Sequence, residues 1–284
     1  MINQKFTFKK SAWLILIIFS LTSCLAKTDG TTGGNPLQVV TGFVVTGSSK
    51  TTTVAKNLLN QIYSLIFPTA YANPAPVMQD ASGRTVLLNK AWIAFVDVEF
   101  KTDQLVIPGE QPENMTFVGP FYVNLLEAAP MALAVGIVDF KSYRRVQATL
   151  YKQGPQPVDA PSEMLGHSVY LEGSINGAAF SFRSEESNAF IVAGPNGIRP
   201  DGNSSLLLSF YFANLFKKIN LSAITTPTVI DGSNKIPAMN PCPAIKAGAG
   251  DLYECFREGL QTETNLGIDQ NGNSELDISE PSVD

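Results

Sequence analysis

The residues on either side of Asn176–Gly177 constrain the fold of this chain more strongly than any other feature. Asn-Gly is the preferred dipeptide of the two-residue type I′ turn, because both of its positions need a positive φ. Residues 168–175 and 178–184 can therefore pair outward from the turn as antiparallel strands. The predicted opposite pairs are Ile175–Ala178, Gly173–Phe180 and Leu171–Phe182 on one face, and Glu172–Ser181 and Tyr170–Arg183 on the other. One face is apolar and the other polar, with Glu172 and Arg183 as diagonal neighbours, which predicts a sheet with one wet side.

Alternating or β-branched residues predict further strands along the chain. These are residues 37–46, 92–100, 115–117, 121–126, 145–151 and 206–212. In residues 92–100, strict alternation would place Trp92 on the same face as Val98 and Phe100. Six or more short strands with turn signals between them predict a mainly β chain: an antiparallel β-sandwich with one or two short helices and a small C-terminal appendage.

An amphipathic helix is predicted over residues 54–66, where apolar residues recur at helical spacing before Pro68. Its apolar face would either dock on the sheet or touch membrane lipid.

The N-terminus carries an export signal. Three lysines precede an apolar run over residues 12–19, which is too short to span a bilayer of ~30 Å. The run ends in Leu21-Thr22-Ser23-Cys24, which resembles the bacterial lipobox. The resemblance implies cleavage before Cys24 and lipid on its sulfur; a plain signal peptide with a chance cysteine is the alternative. Leu25 follows Cys24 at the position where an aspartate would be the retention signal of inner-membrane lipoproteins. We therefore expect an outer-membrane location, periplasmic or surface-exposed.

The chain divides into four predicted parts. Residues 1–23 are the signal peptide, and residues 24–36, rich in glycine, form a flexible tether. Residues 37–235 form the sandwich domain, and residues 236–284 form a disulfide-linked C-terminal segment.

The charge balance argues against a nucleic-acid partner. The chain has 20 basic and 25 acidic residues, and residues 1–23 contain three of the basic ones and no acidic one. Residues 251–284 contain nine acidic residues and one basic residue. The body of the chain is therefore neutral, without the clustered Lys and Arg that bind phosphates.

Cys242 and Cys255 remain once Cys24 is assigned to lipid. An even pair in an exported chain favours a disulfide over two reduced thiols. Zinc is disfavoured because two cysteines without nearby histidine supply too few ligands. Asp251 then opens a predicted short helix with an apolar face.

Residues 269–280 resemble an EF-hand calcium loop, which supplies oxygen ligands at positions 1, 3, 5, 7, 9 and 12. The corresponding residues are Asp269, Asn271, Asn273, Glu275, Asp277 and Glu280. Leu276 matches the apolar position 8, but Ser274 replaces the usual glycine and no helix can follow Pro281. The resemblance implies weak calcium binding, with a Kd of ~10⁻⁴–10⁻³ M and a structural role. A solvated acidic tail with chance spacing is the alternative.

Three stretches, residues 91–100, 119–126 and 166–173, resemble a group of uncharacterised bacterial lipoproteins. The resemblance covers roughly residues 85–220 and implies a β-sandwich of unknown function behind a lipid anchor. It supplies no catalytic motif.

We expect a non-enzymatic binding or structural protein. The chain has one histidine, His167, whose neighbour Ser168 would point to the opposite face of a strand, so the two form no local relay. No hydrolase, zinc-protease or phosphate-loop motif is present. A glycan or an envelope protein is the expected ligand. The alternative is a polysaccharide hydrolase that uses paired carboxylates such as Asp97 and Glu99.

Overall fold

The computed structural model describes residues 38–48, 77–102, 115–126, 131–139, 142–152, 161–200, 205–270, 276 and 279–283, with backbone alone for 38–48 and 131–139. They belong to one compact unit, Pro36–Asp284. The predicted lipobox, the tether and the helix over residues 54–66 lie outside the described residues. Among the described residues, no helix has the length and apolar character needed to cross a membrane.

The chain is mainly β, as predicted. The strands are β1 (Gln38–Ser48), β2 (Val77–Gln79), β3 (Thr85–Lys101), β4 (Met115–Asn124), β5 (Met131–Asp139), β6 (Tyr143–Leu150), β7 (Val169–Ile175), β8 (Ala178–Ser184), β9 (Ala189–Ile198), β10 (Ser205–Tyr211), β11 (Thr228–Ile230) and β12 (Thr264–Asp269). The helices are α1 (Phe212–Lys217) and α2 (Leu252–Thr262), with a 3₁₀ turn at Ser162–Met164.

The long strand β3 is the centre of an eight-stranded sheet. Along one edge it pairs with β7 and then with β6, and along the other edge with β2 and β4. Beyond β7 follow β8 and β11, and beyond β6 follows β9. A second sheet has the order β12-β10-β1-β5. The two sheets share one hydrophobic core, in which the rings of Phe190 and Phe210 lie 5.6 Å apart.

The prediction that the sheets are purely antiparallel is wrong. The pairs β1–β10 and β8–β11 are parallel, and the other ladders are antiparallel. Each parallel pair joins strands far apart in the sequence, as the long connection between parallel strands requires. Alternation reports which face of a strand is buried and carries no information about the direction of its neighbour.

The face prediction for residues 92–100 is also wrong in part. Ile93 and Phe95 share the buried face with Val98 and Phe100, whereas Trp92 lies on the opposite face. The reason is a β-bulge between Phe95 and Asp97, which shifts the alternation by one residue. Strand β4 follows the same irregularity and runs unbroken through Gly119–Pro120, a cis peptide bond.

The predicted hairpin is confirmed in its register. Strands β7 and β8 pair Gly173 with Phe180 and Tyr170 with Arg183, and both turn residues have a positive φ. A Cβ at Gly173 would collide with the backbone carbonyl of Leu87 on β3, so glycine is required by the close approach of the strands.

The C-terminal residues share the core of the sheets rather than standing apart from it. Strand β12 pairs with β10, and α2 buries Phe256 in the core. Asp251 caps α2 by accepting a hydrogen bond from the Glu254 N–H at 2.8 Å, as the predicted helix start requires. The predicted disulfide is confirmed: Cys242 and Cys255 are bonded, fully buried, with Cα atoms 5.8 Å apart.

Candidate functional site

One face of the eight-stranded sheet, here called the outer face, points away from the common core. Four side chains form a row across it on adjacent strands: Asn124 on β4, Trp92 on β3, Tyr170 on β7 and Arg183 on β8. Lys90, Glu172 and Ser181 form the next row. Directly opposite side chains in a sheet lie about 5 Å apart, so these groups are within reach of one another.

Aromatic rings concentrate at one end of the outer face. Trp92, Tyr122, Tyr151 and Tyr170, which we call the aromatic patch, pack with Ala94 and Met164 in a cluster separate from the main core. Tyr170 is buried, and the other three rings are partly exposed. The rings of Tyr122 and Tyr151 meet edge to face, with centroids 6.2 Å apart. The outer face is therefore less exposed to solvent at this end than the sequence predicted.

The 3₁₀ turn at Ser162–Met164 explains why Tyr170 is buried. It brings the fully buried side chain of Met164 onto Tyr170 and Ala94. The chain then enters β7 through His167, whose N–H donates to the Met164 carbonyl at 2.9 Å. The loop before β7 thus forms one wall of the aromatic patch.

The acidic groups beside the patch are already engaged. Lys90 Nζ lies 2.5 Å from Glu163 Oε1 and 3.7 Å from Glu172 Oε2, and the Tyr170 hydroxyl donates to Glu172. The hydrogen bond from Lys90 lowers the pKa of Glu163, and the same bond raises the pKa of Lys90. Glu163 therefore stays ionised and paired with Lys90 at neutral pH.

Four polar atoms on or beside the outer face are buried without a hydrogen-bond partner among the described residues. They are the Tyr122 hydroxyl, Arg145 Nε, Arg183 Nε and His167 Nδ1. Burial, with the Tyr151 hydroxyl as a second cause, raises the pKa of Tyr122 to about 12. Burial lowers the pKa of His167, and the positive charge of Arg183 lowers it further. Both groups are therefore neutral at neutral pH.

Arg183 does not form the ion pair with Glu172 that the diagonal register suggests. Its guanidinium carbon lies 5.7 Å from the centre of the Tyr170 ring, a cation–π contact. Glu172 is bound instead to Tyr170 and Lys90. Arg183 has no ion pair in the part of the chain that the structure describes.

The ends of the predicted calcium loop lie together. Asp269 and Glu280, positions 1 and 12, are buried, and Glu280 Oε1 accepts a hydrogen bond from the Gln270 N–H at 2.9 Å. The Ile268 N–H donates to the Pro281 carbonyl at 2.9 Å, which closes the loop at its base. Leu276 is buried against Gly267. Asn271, Asn273, Glu275 and Asp277 lie outside the described residues, and within the described ones no group of three or more metal-binding side chains occurs.

The paired carboxylates proposed for hydrolysis lie on the outer face beyond the aromatic patch. Asp97 and Glu99 pair opposite Thr149 and Gln147 on β6. Glu99 forms an ion pair with Lys101 at 2.9 Å. Ser168 is fully buried and donates to the Ser184 carbonyl at 3.2 Å, so its hydroxyl is engaged in the β7–β8 pairing.

Sequence reasoning missed the aromatic patch. The signal available was the hairpin register, which placed Tyr170 opposite Arg183 on the polar face. Trp92 was assigned to the wrong face by the bulge, and the positions of Tyr122 and Tyr151 depend on pairing between distant strands.

No family model, curated protein or solved structure matches the chain.

Proposed function

We propose that this chain is a lipid-anchored cell-envelope protein, without enzymatic activity, whose aromatic patch binds a glycan. The observation that carries the proposal is the set of partly exposed rings of Trp92, Tyr122 and Tyr151 beside hydrogen-bonding side chains. A sugar ring has apolar C–H groups on its faces and hydroxyls around its rim, so it needs aromatic surface flanked by polar groups. Exposed apolar patches with a polar rim are typical of binding sites.

The size of the patch favours a glycan over an envelope protein. A stable protein interface buries about 800 Å² on each partner. The aromatic patch consists of four rings that already cover one another in part, and its neighbours Lys90, Glu163 and Glu172 are charged. A small polar ligand suits such a surface better than a large apolar one.

The anchor and the location of the proposal rest on the sequence. Lipid on Cys24 would hold the chain at the membrane, in the outer membrane of a bacterial cell envelope, with residues 24–36 as the tether. A multi-acyl anchor is needed for stable attachment, because a single chain binds a bilayer only marginally.

Trp92 makes a direct test possible. The sequence contains two tryptophans, Trp13 and Trp92, so a chain that begins at residue 25 has Trp92 alone and still contains all of Pro36–Asp284. We expect envelope polysaccharides, titrated one at a time, to change its fluorescence intensity in a saturable manner. Trp92→Ala should weaken binding, measured by calorimetry, by about 30-fold or more, as for an aromatic hot spot.

Val118→Ala is the matched control, since Val118 is exposed on the same face, opposite Asp97 rather than in the patch. Both variants should keep the wild-type melting temperature to within a few degrees. Capture of an envelope protein at the patch instead of any glycan would contradict the proposal. So would glycan hydrolysis that is lost in Asp97→Asn, which would establish the alternative hydrolase.

We further propose that residues 269–280 bind calcium in a structural role. The proposal is supported by the closed base of the loop, where the buried carboxylates of Asp269 and Glu280 lie at positions 1 and 12. Glu at position 12 is the bidentate ligand of such loops.

Calcium at 10 mM is expected to raise the free energy of unfolding by about 1.4–2.7 kcal/mol, the effect of 10 to 100 times a Kd of ~10⁻⁴–10⁻³ M. Glu280→Gln should abolish the increase, because the amide still accepts from Gln270 but cannot bind the ion in bidentate fashion. Denaturant unfolding with and without calcium measures this, with magnesium as the control. An equal response in wild type, Glu280→Gln and Asp269→Asn would contradict the proposal.

A further inference from the structure

Arg183, a cation beside the aromatic patch, has no carboxylate partner in the part of the chain that the structure describes. Arg183 is partly exposed, and neither an ion pair nor a hydrogen bond engages its guanidinium among the described residues. The nearest carboxylate in the predicted register, Glu172, is taken by the Tyr170 hydroxyl and lies 3.7 Å from Lys90. Glu163 is taken by Lys90 at 2.5 Å. Glu163 and Glu172 are thus bound to other groups, and the N–H donors of Arg183 have no acceptor among the described residues.

Arg183 contacts the aromatic patch although its donors have no acceptor among the described residues. Its side chain lies over the Tyr170 ring at 5.7 Å, at the end of the row formed by Asn124, Trp92 and Tyr170. Its Nε is buried without an acceptor among the described residues. Since buried donors without a partner are costly, an oxyanion is the group that this corner of the patch lacks.

We infer that the ligand of the aromatic patch is an acidic glycan, and that Arg183 binds its oxyanion while the aromatic rings bind the sugar faces. The inference rests on the proposed glycan binding and names its ligand class. A planar guanidinium offers paired N–H donors that match the two oxygens of a carboxylate or a phosphate. Arg183 is partly exposed and forms no hydrogen bond among the described residues, so its Nη–H donors can serve the ligand.

The experiment compares two forms of one sugar, an oligogalacturonide and its fully methyl-esterified form, in which a neutral methyl ester replaces each carboxylate. Calorimetry with the chain from residue 25 should give tighter binding of the acidic form. Arg183→Met should weaken binding of the acidic form by about 10- to 100-fold, the loss of a charge-assisted hydrogen bond, and leave the neutral form almost unchanged. Arg183→Lys keeps the charge but loses the paired donors. Its affinity for the acidic form should therefore lie between those of the wild type and Arg183→Met.

Arg145→Met is the matched control. Arg145 lies on the same face, on β6 opposite Lys101, and its Nε is likewise buried without a partner, but no ring of the patch faces it. It should leave both affinities unchanged. A phosphorylated oligosaccharide forms a third arm, and preferential binding of it with the same dependence on Arg183 would assign the oxyanion to phosphate and support the inference.

Equal affinity for the acidic and esterified forms, or equal losses for both in Arg183→Met, would overturn the inference and leave glycan binding intact. Binding of no glycan at all by the wild-type chain would overturn the proposed function together with the inference. Unfolding curves of each variant show whether a loss reflects the site, since Arg183→Lys should unfold like the wild type.

Discussion

Replacing Phe256 by alanine is expected to lower the free energy of unfolding by about 3–5 kcal/mol, the usual cost of truncating a buried phenylalanine. Phe256 is fully buried on α2, and its ring centroid lies 6.2 Å from that of Phe180, 5.0 Å from Phe182 and 5.9 Å from Phe216. The last two belong to β8 and to α1, so this ring joins three elements. Removing it leaves a cavity that none of them can fill without moving.

Denaturant unfolding measures the effect, and two further variants define its cause. Phe256→Leu keeps most of the buried apolar volume, so it should lower the free energy of unfolding by less than Phe256→Ala does. Gln261→Ala, on a partly exposed position of the same helix, should stay within about 0.5 kcal/mol of the wild type. If Phe256→Ala were as stable as Gln261→Ala, α2 would not be part of the folding core.

Replacing Asp80 by alanine is expected to lower the free energy of unfolding by about 1.5–4.5 kcal/mol. The buried Leu221 N–H would lose its acceptor at ~1–3 kcal/mol, and the half-buried Arg84 N–H would lose a hydrogen bond of ~0.5–1.5 kcal/mol. The Asp80 carboxylate, 3% exposed, accepts from the Arg84 N–H at 2.8 Å and from the Leu221 N–H at 3.1 Å. It also accepts from the backbone and hydroxyl of Ser82. It thus joins the turn between β2 and β3 to the segment after α1.

Asp231→Ala is the matched control for Asp80→Ala. Asp231 forms the same local turn, accepting from Ser233 and Asn234 at 2.8 Å, but its hydrogen bonds are exposed and water can replace it. Asp80→Asn keeps one acceptor oxygen, so its free energy of unfolding should lie between those of the wild type and Asp80→Ala. Equal unfolding midpoints for Asp80→Ala and Asp231→Ala would show that the connection to Leu221 adds nothing to stability.

The hairpin, the disulfide and the start of α2 could be predicted because each depends on residues close together in the sequence. The Asn176–Gly177 turn fixes which residues of β7 and β8 face each other, since turn type determines register. Asp251 supplies the cap that α2 needs at its own first turn. Cys242 and Cys255 are only 13 residues apart, and an even pair of cysteines in a chain predicted to be exported favours a disulfide.

The aromatic patch could not be predicted because its members come from strands that meet only in the folded chain. Tyr122 on β4 and Tyr151 after β6 reach Trp92 through pairing with β3, and the bulge between Phe95 and Asp97 decides which face Trp92 occupies. The prediction of a wet outer face is wrong at Tyr170 for the same reason, because Met164 covers Tyr170 from a separate loop.

The sequence by itself therefore determined the mainly β class, the hairpin register, the disulfide and the capped helix, and it supplies the predictions of export, lipid attachment and a calcium loop. These follow from local chemistry: turn preference, side-chain alternation, capping and ligand spacing. Only the tertiary structure decided the mixed order of the sheets, the inclusion of β12 and α2 in the core, and the position of Arg183 beside the aromatic rings. Those depend on contacts between residues far apart in the chain, and alternation along a single strand carries no information about which distant strand will lie beside it.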